Sequence, residues 1–140
     1  MKQFFFVMLV VFANSAIMAQ NPADKITGVW LNEDKTTKIE IVKTGNTYLG
    51  KIVWLAQSND VNGNPRLDKN NPDLEKRHQK ILGLTILSGI SYSKNTWTGT
   101  LYGPKRGQYA ECSIVIDAAS QLQITVSKGF FSETKIWTKP

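Results

Sequence analysis

Gly28-Val29-Trp30, near the start of the chain, and Ile136-Trp137, near its end, bracket a series of short alternating stretches that decides the fold. A glycine just before a β-branched residue and a tryptophan lets one backbone pass close to another while the large ring fills the space beside it. Between these ends Ile39 and Ile41 alternate with Lys38 and Glu40, and Leu122, Ile124 and Val126 alternate with Gln121, Gln123, Thr125 and Ser127. Such a period of two buries one face of a strand and wets the other. Read this way, the chain predicts about eight strands: Ile26 to Leu31, Thr37 to Lys43, Thr47 to Leu55, Ile81 to Ile90, Thr96 to Tyr102, Gln108 to Ile116, Gln121 to Lys128 and Glu133 to Thr138.

Most separators are short and made of turn residues, such as Thr44-Gly45-Asn46, Ser93-Lys94-Asn95 and Asp117-Ala118-Ala119-Ser120. Short links join neighbours, so the simplest topology is an all-β antiparallel meander. A sheet that wide would leave two edges and one apolar face in water. Closing it into a single up-and-down barrel of about eight strands removes both problems, with Trp30 plugging one end beside the last strand. A two-sheet sandwich is the alternative that fits the same pattern. The exception among the links is 56–80, too long for a hairpin and of the length that is usually functional. Its second half predicts a short helix over one barrel mouth, with Asn71 as N-cap, Pro72 first, acids at Asp73 and Glu75, and Lys76, Arg77 and Lys80 toward the negative end.

The chain begins as an export signal does. Lys2 precedes an uncharged run from Phe4 to Phe12, followed by the small residues Ser15, Ala16 and Ala19. The expected division is a signal peptide over 1–19 and one barrel domain over 20–140, exported to the periplasm or beyond. The apolar run is too short for a stable membrane span and nothing later replaces it, so no transmembrane segment is expected in the mature chain. Removing the signal takes one positive charge from a net +6, and the excess favours anionic neighbours. The single cysteine, Cys112, cannot make an internal disulfide. It shares a strand face with Ala110, Ile114 and Ile116, as a buried inert thiol would.

Catalytic and metal chemistry have little to start from. One His, one Cys and carboxylates at no zinc-like spacing argue against a metal, and no cofactor is implied. Asp60-Val61-Asn62-Gly63-Asn64 places oxygens at alternate positions, but Pro65 and Asn71 stand where a calcium loop needs Gly and a closing Glu; an Asx-rich turn is the simpler reading. His78 lies among Lys76, Arg77 and Lys80 with no orienting acid in sequence. Glu111 falls mid-strand with Tyr109, Ser113 and Val115, and is either a pocket carboxylate or an ordinary outward one. No motif that reads nucleic acid is present, and export argues against that partner.

The residues also resemble a family of exported bacterial proteins, the domain-of-unknown-function family 2147 (DUF2147). The resemblance rests on Gly28-Val29-Trp30, Gly50-Lys51-Ile52, Asn71-Pro72-Asp73-Leu74 with Arg77, Ile81-Leu82-Gly83-Leu84, Trp97-Thr98-Gly99-Thr100-Leu101-Tyr102-Gly103-Pro104, Gly107-Gln108-Tyr109 and Trp137. The chain departs from the pattern at Thr100, where a second Gly is usual, and at Gly103, where an Asp is usual. The resemblance implies a lipocalin-like barrel in an extracytoplasmic compartment and supplies no activity. Gly28, Trp30, Gly83, Gly99 and Trp137 are expected to serve the fold.

Two functions fit. In the first, the barrel binds a small apolar or anionic molecule in its mouth, lined by Tyr48, Trp54, Trp97 and Glu111, with Arg77 on the covering loop meeting an acidic group. In the second, the barrel is filled and the protein is a non-catalytic envelope module that meets a partner protein through the 56–80 loop. An enzyme ranks third, for want of a convergent acid, base or metal set.

Overall fold

The alternating stretches form eight strands in a computed structural model that describes residues 21–140: β1 (Gly28–Asn32), β2 (Thr37–Thr44), β3 (Thr47–Leu55), β4 (Thr85–Ser93), β5 (Thr96–Gly103), β6 (Gln108–Ile116), β7 (Leu122–Lys128) and β8 (Phe131–Thr138). The expected export signal over 1–19 lies outside the described residues. Each strand pairs antiparallel with the next and β1 pairs with β8, so the sheet closes into a barrel and not into two stacked sheets. The closing seam is short. Leu31 faces Thr138 and Asn32 faces Trp137, after which the Glu33 carboxylate accepts the Ile136 N–H at 2.7 Å where β1 has ended. Among the described residues no helix is long and apolar enough to cross a membrane.

The first strand begins later than its sequence pattern predicts. Ile26 belongs instead to a 3-10 turn, Pro22–Ile26, which starts at Asn21, whose side-chain oxygen accepts the Ala23 N–H, and carries Pro at its first position. This turn plugs one end of the barrel. Ile26 and Ala23 are buried in a single cluster with Trp30, Ile39, Ile41, Ile90, Ile114, Leu122, Ile124 and Trp137. Each large side chain so buried contributes roughly 1.5–3 kcal/mol against solvent exposure. Three ring polar atoms of the cluster are satisfied by the plug itself. Trp30 Nε1–H donates to Ile26 O and Trp97 Nε1–H to Ala23 O, both at 2.9 Å, while the Tyr48 hydroxyl donates to Asp24 at 2.5 Å.

The fourth strand also starts later than expected. Ile81–Leu84 is a turn, because Gly83 takes φ +91° and breaks the extended run, although Gly83 N–H and Leu84 C=O still pair with Ile52. Farther along, Ser88 faces Thr100 and Ser91 faces Thr98, so Gly89 and Ile90 together oppose Gly99. Gly89 at φ +57° makes this a glycine bulge, which turns both Leu87 and Ile90 inward. Gly99 is required opposite it. A Cβ there would lie 2.6 Å from Ile90 Cδ1 and 2.8 Å from Ser88 O.

Candidate functional site

Strand parity divides the β5–β6 ladder into an inner and an outer row. Trp97 faces Ile114, Gly99 faces Cys112 and Leu101 faces Ala110 on the core side; Thr98 faces Ser113, Thr100 faces Glu111 and Tyr102 faces Tyr109 on the other. No bulge interrupts this register. Tyr102 is nevertheless buried, because the long segment between β3 and β4 folds against the outer wall at the end of the barrel opposite the plug. The segment therefore lies over the rim and outer face of β5–β6, where the sequence pattern placed a helix over the mouth.

Its internal structure is built from polar side chains. Asp60 Oδ1 accepts the N–H groups of Asn62 and Asn64, so the stretch that resembles a calcium loop is a self-bonded turn. Leu67 bridges to Lys80, and the Asp68 N–H donates to Gln79 O at 2.8 Å. Asp68 is 0% exposed and Asn71 2%. One Asp68 oxygen accepts the Tyr102 hydroxyl at 2.7 Å and the other accepts Asn71 Nδ2–H at 2.7 Å, which satisfies a buried carboxyl that would otherwise be costly. Burial and the Asp68 contact push the Tyr102 hydroxyl pKa well up from 10, so it stays a donor. Because Asn71 is held in this cluster, the 3-10 turn that follows, Leu74–His78, takes Asp73 as its N-cap and begins later than the Asn71-Pro72 pair predicts. A second clamp is steric. Asn70 Nδ2–H donates to Lys105 O, and a Cβ on Gly107 would fall 1.8 Å from Asn70 O, so that turn requires glycine.

Between this segment and the outer wall lies an open groove of about 610 Å³, lined among others by Lys76, Lys80, Leu82, Leu84, Tyr102 and Tyr109. No carboxylate lines it, and neither lysine has an ion-pair partner among the described residues. Tyr109 is 45% exposed and stacks on Tyr102 with centroids 4.6 Å apart. A second depression, about 470 Å³, runs over Thr98, Thr100, Glu111, Ser113 and Ser127 on the same outer face. Among the described residues no cluster of His, Cys, Asp and Glu could hold a metal ion.

The five residues expected to line a mouth are not brought together. Tyr48 and Trp97 are buried at the plugged end with their polar atoms occupied by Asp24 and Ala23. Burial, then the Asp24 contact, pushes the Tyr48 pKa up to about 12. Trp54 is 39% exposed, with Lys38 Nζ 5.1 Å from its ring. Glu111 takes the outward of its two readings and is exposed. Arg77 is exposed, and its Nε–H donates to Asn71 O at 2.7 Å. His78 is exposed, and burial pushes the Cys112 thiol up to about 11, which suits an unreactive core group. Sequence reading missed Lys76, Lys80, Tyr102 and Tyr109 as a group. Their only joint signal is that Tyr102 and Tyr109 flank one hairpin on its polar face.

A family model described as "Uncharacterized protein conserved in bacteria (DUF2147)" matches residues 28–139. The chain belongs to this family. A comparison with solved structures adds the fold: a protein of Helicobacter pylori, HP1028, described as belonging to the lipocalin family, superposes with a TM-score of 0.67 over 81% of this chain and 82% of its own, at 18% identity. At that identity the likeness shows a lipocalin-like barrel and nothing of activity. A search of curated proteins by sequence found no match. The DUF2147 barrel thus has one end plugged by a 3-10 turn and its groove outside the wall.

Proposed function

We propose that this DUF2147 protein is exported and binds a small anionic, partly apolar molecule, taken up in the groove between the long segment and the β5–β6 hairpin. The observation that carries the reading is the pair Lys76 and Lys80, which lines that groove without a carboxylate beside apolar Leu82 and Leu84 and the stacked tyrosines. Two unpaired ammonium groups attract an anion, and the leucines and rings take its apolar part. The plugged end supports this placement, since the side chains there fill the interior and use their own polar atoms.

Calorimetric titration with dodecanoate and with 8-anilinonaphthalene-1-sulfonate tests the site. Binding of at least one probe is expected, weakened tenfold or more by the double change Lys76→Ala and Lys80→Ala. Absence of binding, or equal binding by the double variant, overturns it. For export, the intact mass of protein recovered from its own cells should correspond to a chain beginning at Gln20; a chain retaining Met1 to Ala19 would refute it.

A second reading has an observation of its own. Val61 is 97% and Leu74 67% exposed on the same long segment, a placement suited to contact with an envelope protein. If neither anionic probe binds, crosslinking through a cysteine placed at Val61 decides whether that segment meets a partner.

A further inference from the structure

The cationic groove has a neighbour on the far side of the tyrosines. Tyr102 and Tyr109 form one rung of the outer row, and the next rungs are Thr100 with Glu111 and Thr98 with Ser113. These are the residues of the second depression, which Ser127 joins from β7, where it faces Glu111. Three rungs two residues apart span about 14 Å along the strands. On the outer wall the two depressions therefore lie in line on adjacent rungs and together make up a trough: Lys76 and Lys80 at one end, an exposed tyrosine ring in the middle, and Thr98, Thr100, Ser113, Ser127 and Glu111 at the other.

The chemistry of this order is specific. Hydroxyls that both donate and accept, beside an acceptor carboxylate, match a ligand that is itself covered in hydroxyls. None of Thr98, Thr100, Ser113, Ser127 and Glu111 uses its side chain in a hydrogen bond within the described residues. An exposed aromatic face next to them suits the C–H face of a sugar ring. Tyr109 is held for that role, because it stacks on Tyr102, whose hydroxyl is fixed by buried Asp68. Charge sets the direction: the Glu111 end repels an acid and the lysine end attracts one.

We propose that the trough binds a sparsely acidic glycan, with a sugar ring on Tyr109, uncharged hydroxyls toward Glu111, Thr100 and Ser113, and a single carboxylate toward Lys76 and Lys80. The proposal rests on the anion-binding reading of the lysine groove and names the class of ligand for it. It also excludes a class. A glycan with a carboxylate on every ring is disfavoured, since one of its acids falls against Glu111.

The test uses full mature protein and four probes that separate the parts. The disaccharide of N-acetylglucosamine and N-acetylmuramic acid carries one carboxylate, diacetylchitobiose is its neutral counterpart, and dodecanoate supplies an acid without a sugar. By calorimetry the acidic disaccharide is expected to bind at least tenfold more tightly than diacetylchitobiose. The pair Thr100→Val and Ser113→Val should weaken the disaccharide several-fold and leave dodecanoate unchanged. Glu111→Gln should raise the affinity for trigalacturonate, the fully acidic probe, relative to wild type. A folded circular dichroism spectrum and an unshifted melting temperature show that each variant retains the barrel, and Thr100→Ala serves in place of Thr100→Val if that one does not. If dodecanoate binds through Lys76 and Lys80 but the disaccharide is no better than diacetylchitobiose, the glycan assignment falls and the anion groove stands. If no acidic probe binds, both fall.

Discussion

At the plugged end the chain fills the barrel with large apolar side chains and satisfies the few polar atoms they bring from a short turn of its own backbone; at the rim it lays a polar segment over the outer wall and fastens it with buried carboxyl, amide and hydroxyl groups. The first arrangement stores its free energy in packing. The second depends on a few directional bonds around an open groove, and such regions open more readily than a core. The ends should therefore respond differently to substitution. Trp30 sits at the plug with 1% of its surface exposed, so Trp30→Ala should cost about 3–5 kcal/mol through cavity and lost burial. Denaturant unfolding measures this, and a cost below about 1 kcal/mol would mean that the plug does not hold the barrel.

The rim should answer locally. Tyr102→Phe leaves one oxygen of a fully buried carboxyl without its donor, a loss of about 1–3 kcal/mol. Because the bond ties the segment to the wall, the effect belongs in hydrogen exchange of the segment. The Arg66, Asp68 and Ile81 amides, which donate to Ser58, Gln79 and Arg66, should exchange faster while those of Ile114 and Ile124 do not. Equal acceleration throughout would show one cooperative unit and erase the distinction between the ends.

The same contrast explains what could be read from the sequence. A period of two survives in any strand with one wet face, so Ile39 and Ile41 or Leu122 and Ile124 declared the barrel, and turn residues set its order. Parity breaks were harder. Nothing local shows that Gly89 forms a bulge, because its reason, the missing Cβ of Gly99, lies on another strand. The candidate site was scarcely legible, since Asp68 and Asn71 look like solvent-exposed loop residues until Tyr102 is brought over them from the far side of a long link. Tyr48, Trp54 and Trp97 carry the ring type that lines ligand sites, yet a large ring beside a strand marks core more often than ligand.

A pH series sharpens the plugged end. Asp24 accepts the Tyr48 hydroxyl and lies 3.3 Å from Lys43 Nζ; the Tyr48 bond foremost holds its carboxyl below the ordinary 3.8, burial opposes it, and Lys43 lowers it further. A depressed carboxyl contributes stability that is present above pH 3.8 and lost as pH falls through its folded value. For Tyr48 the sign reverses. With its pKa raised from 10 to about 12, its contribution is full below pH 10 and declines as pH rises through that interval. Stability curves should therefore flatten below pH 4 in Asp24→Asn and between pH 10 and 12 in Tyr48→Phe, relative to the parent chain. Tyr102, also shifted upward, contributes to the alkaline slope at the rim, so the Tyr48→Phe curve should retain part of it. Parallel curves for parent and variants would show that the plug contacts do not persist in solution.

The smallest effect on the fold should accompany the largest on binding. Lys76 and Lys80 are exposed and lack ion-pair partners among the described residues, so replacing both with Ala should change unfolding free energy by no more than about 0.5 kcal/mol. A groove lysine with no carboxylate neighbour has nothing to lose internally, and removing its charge can even relieve repulsion from Arg77 and the other lysine. A small gain in stability together with lost affinity for dodecanoate would mark the pair as placed for a ligand. A clear loss of stability would instead assign the lysines to holding the segment on the wall, and the rim would then be as structural as the plug.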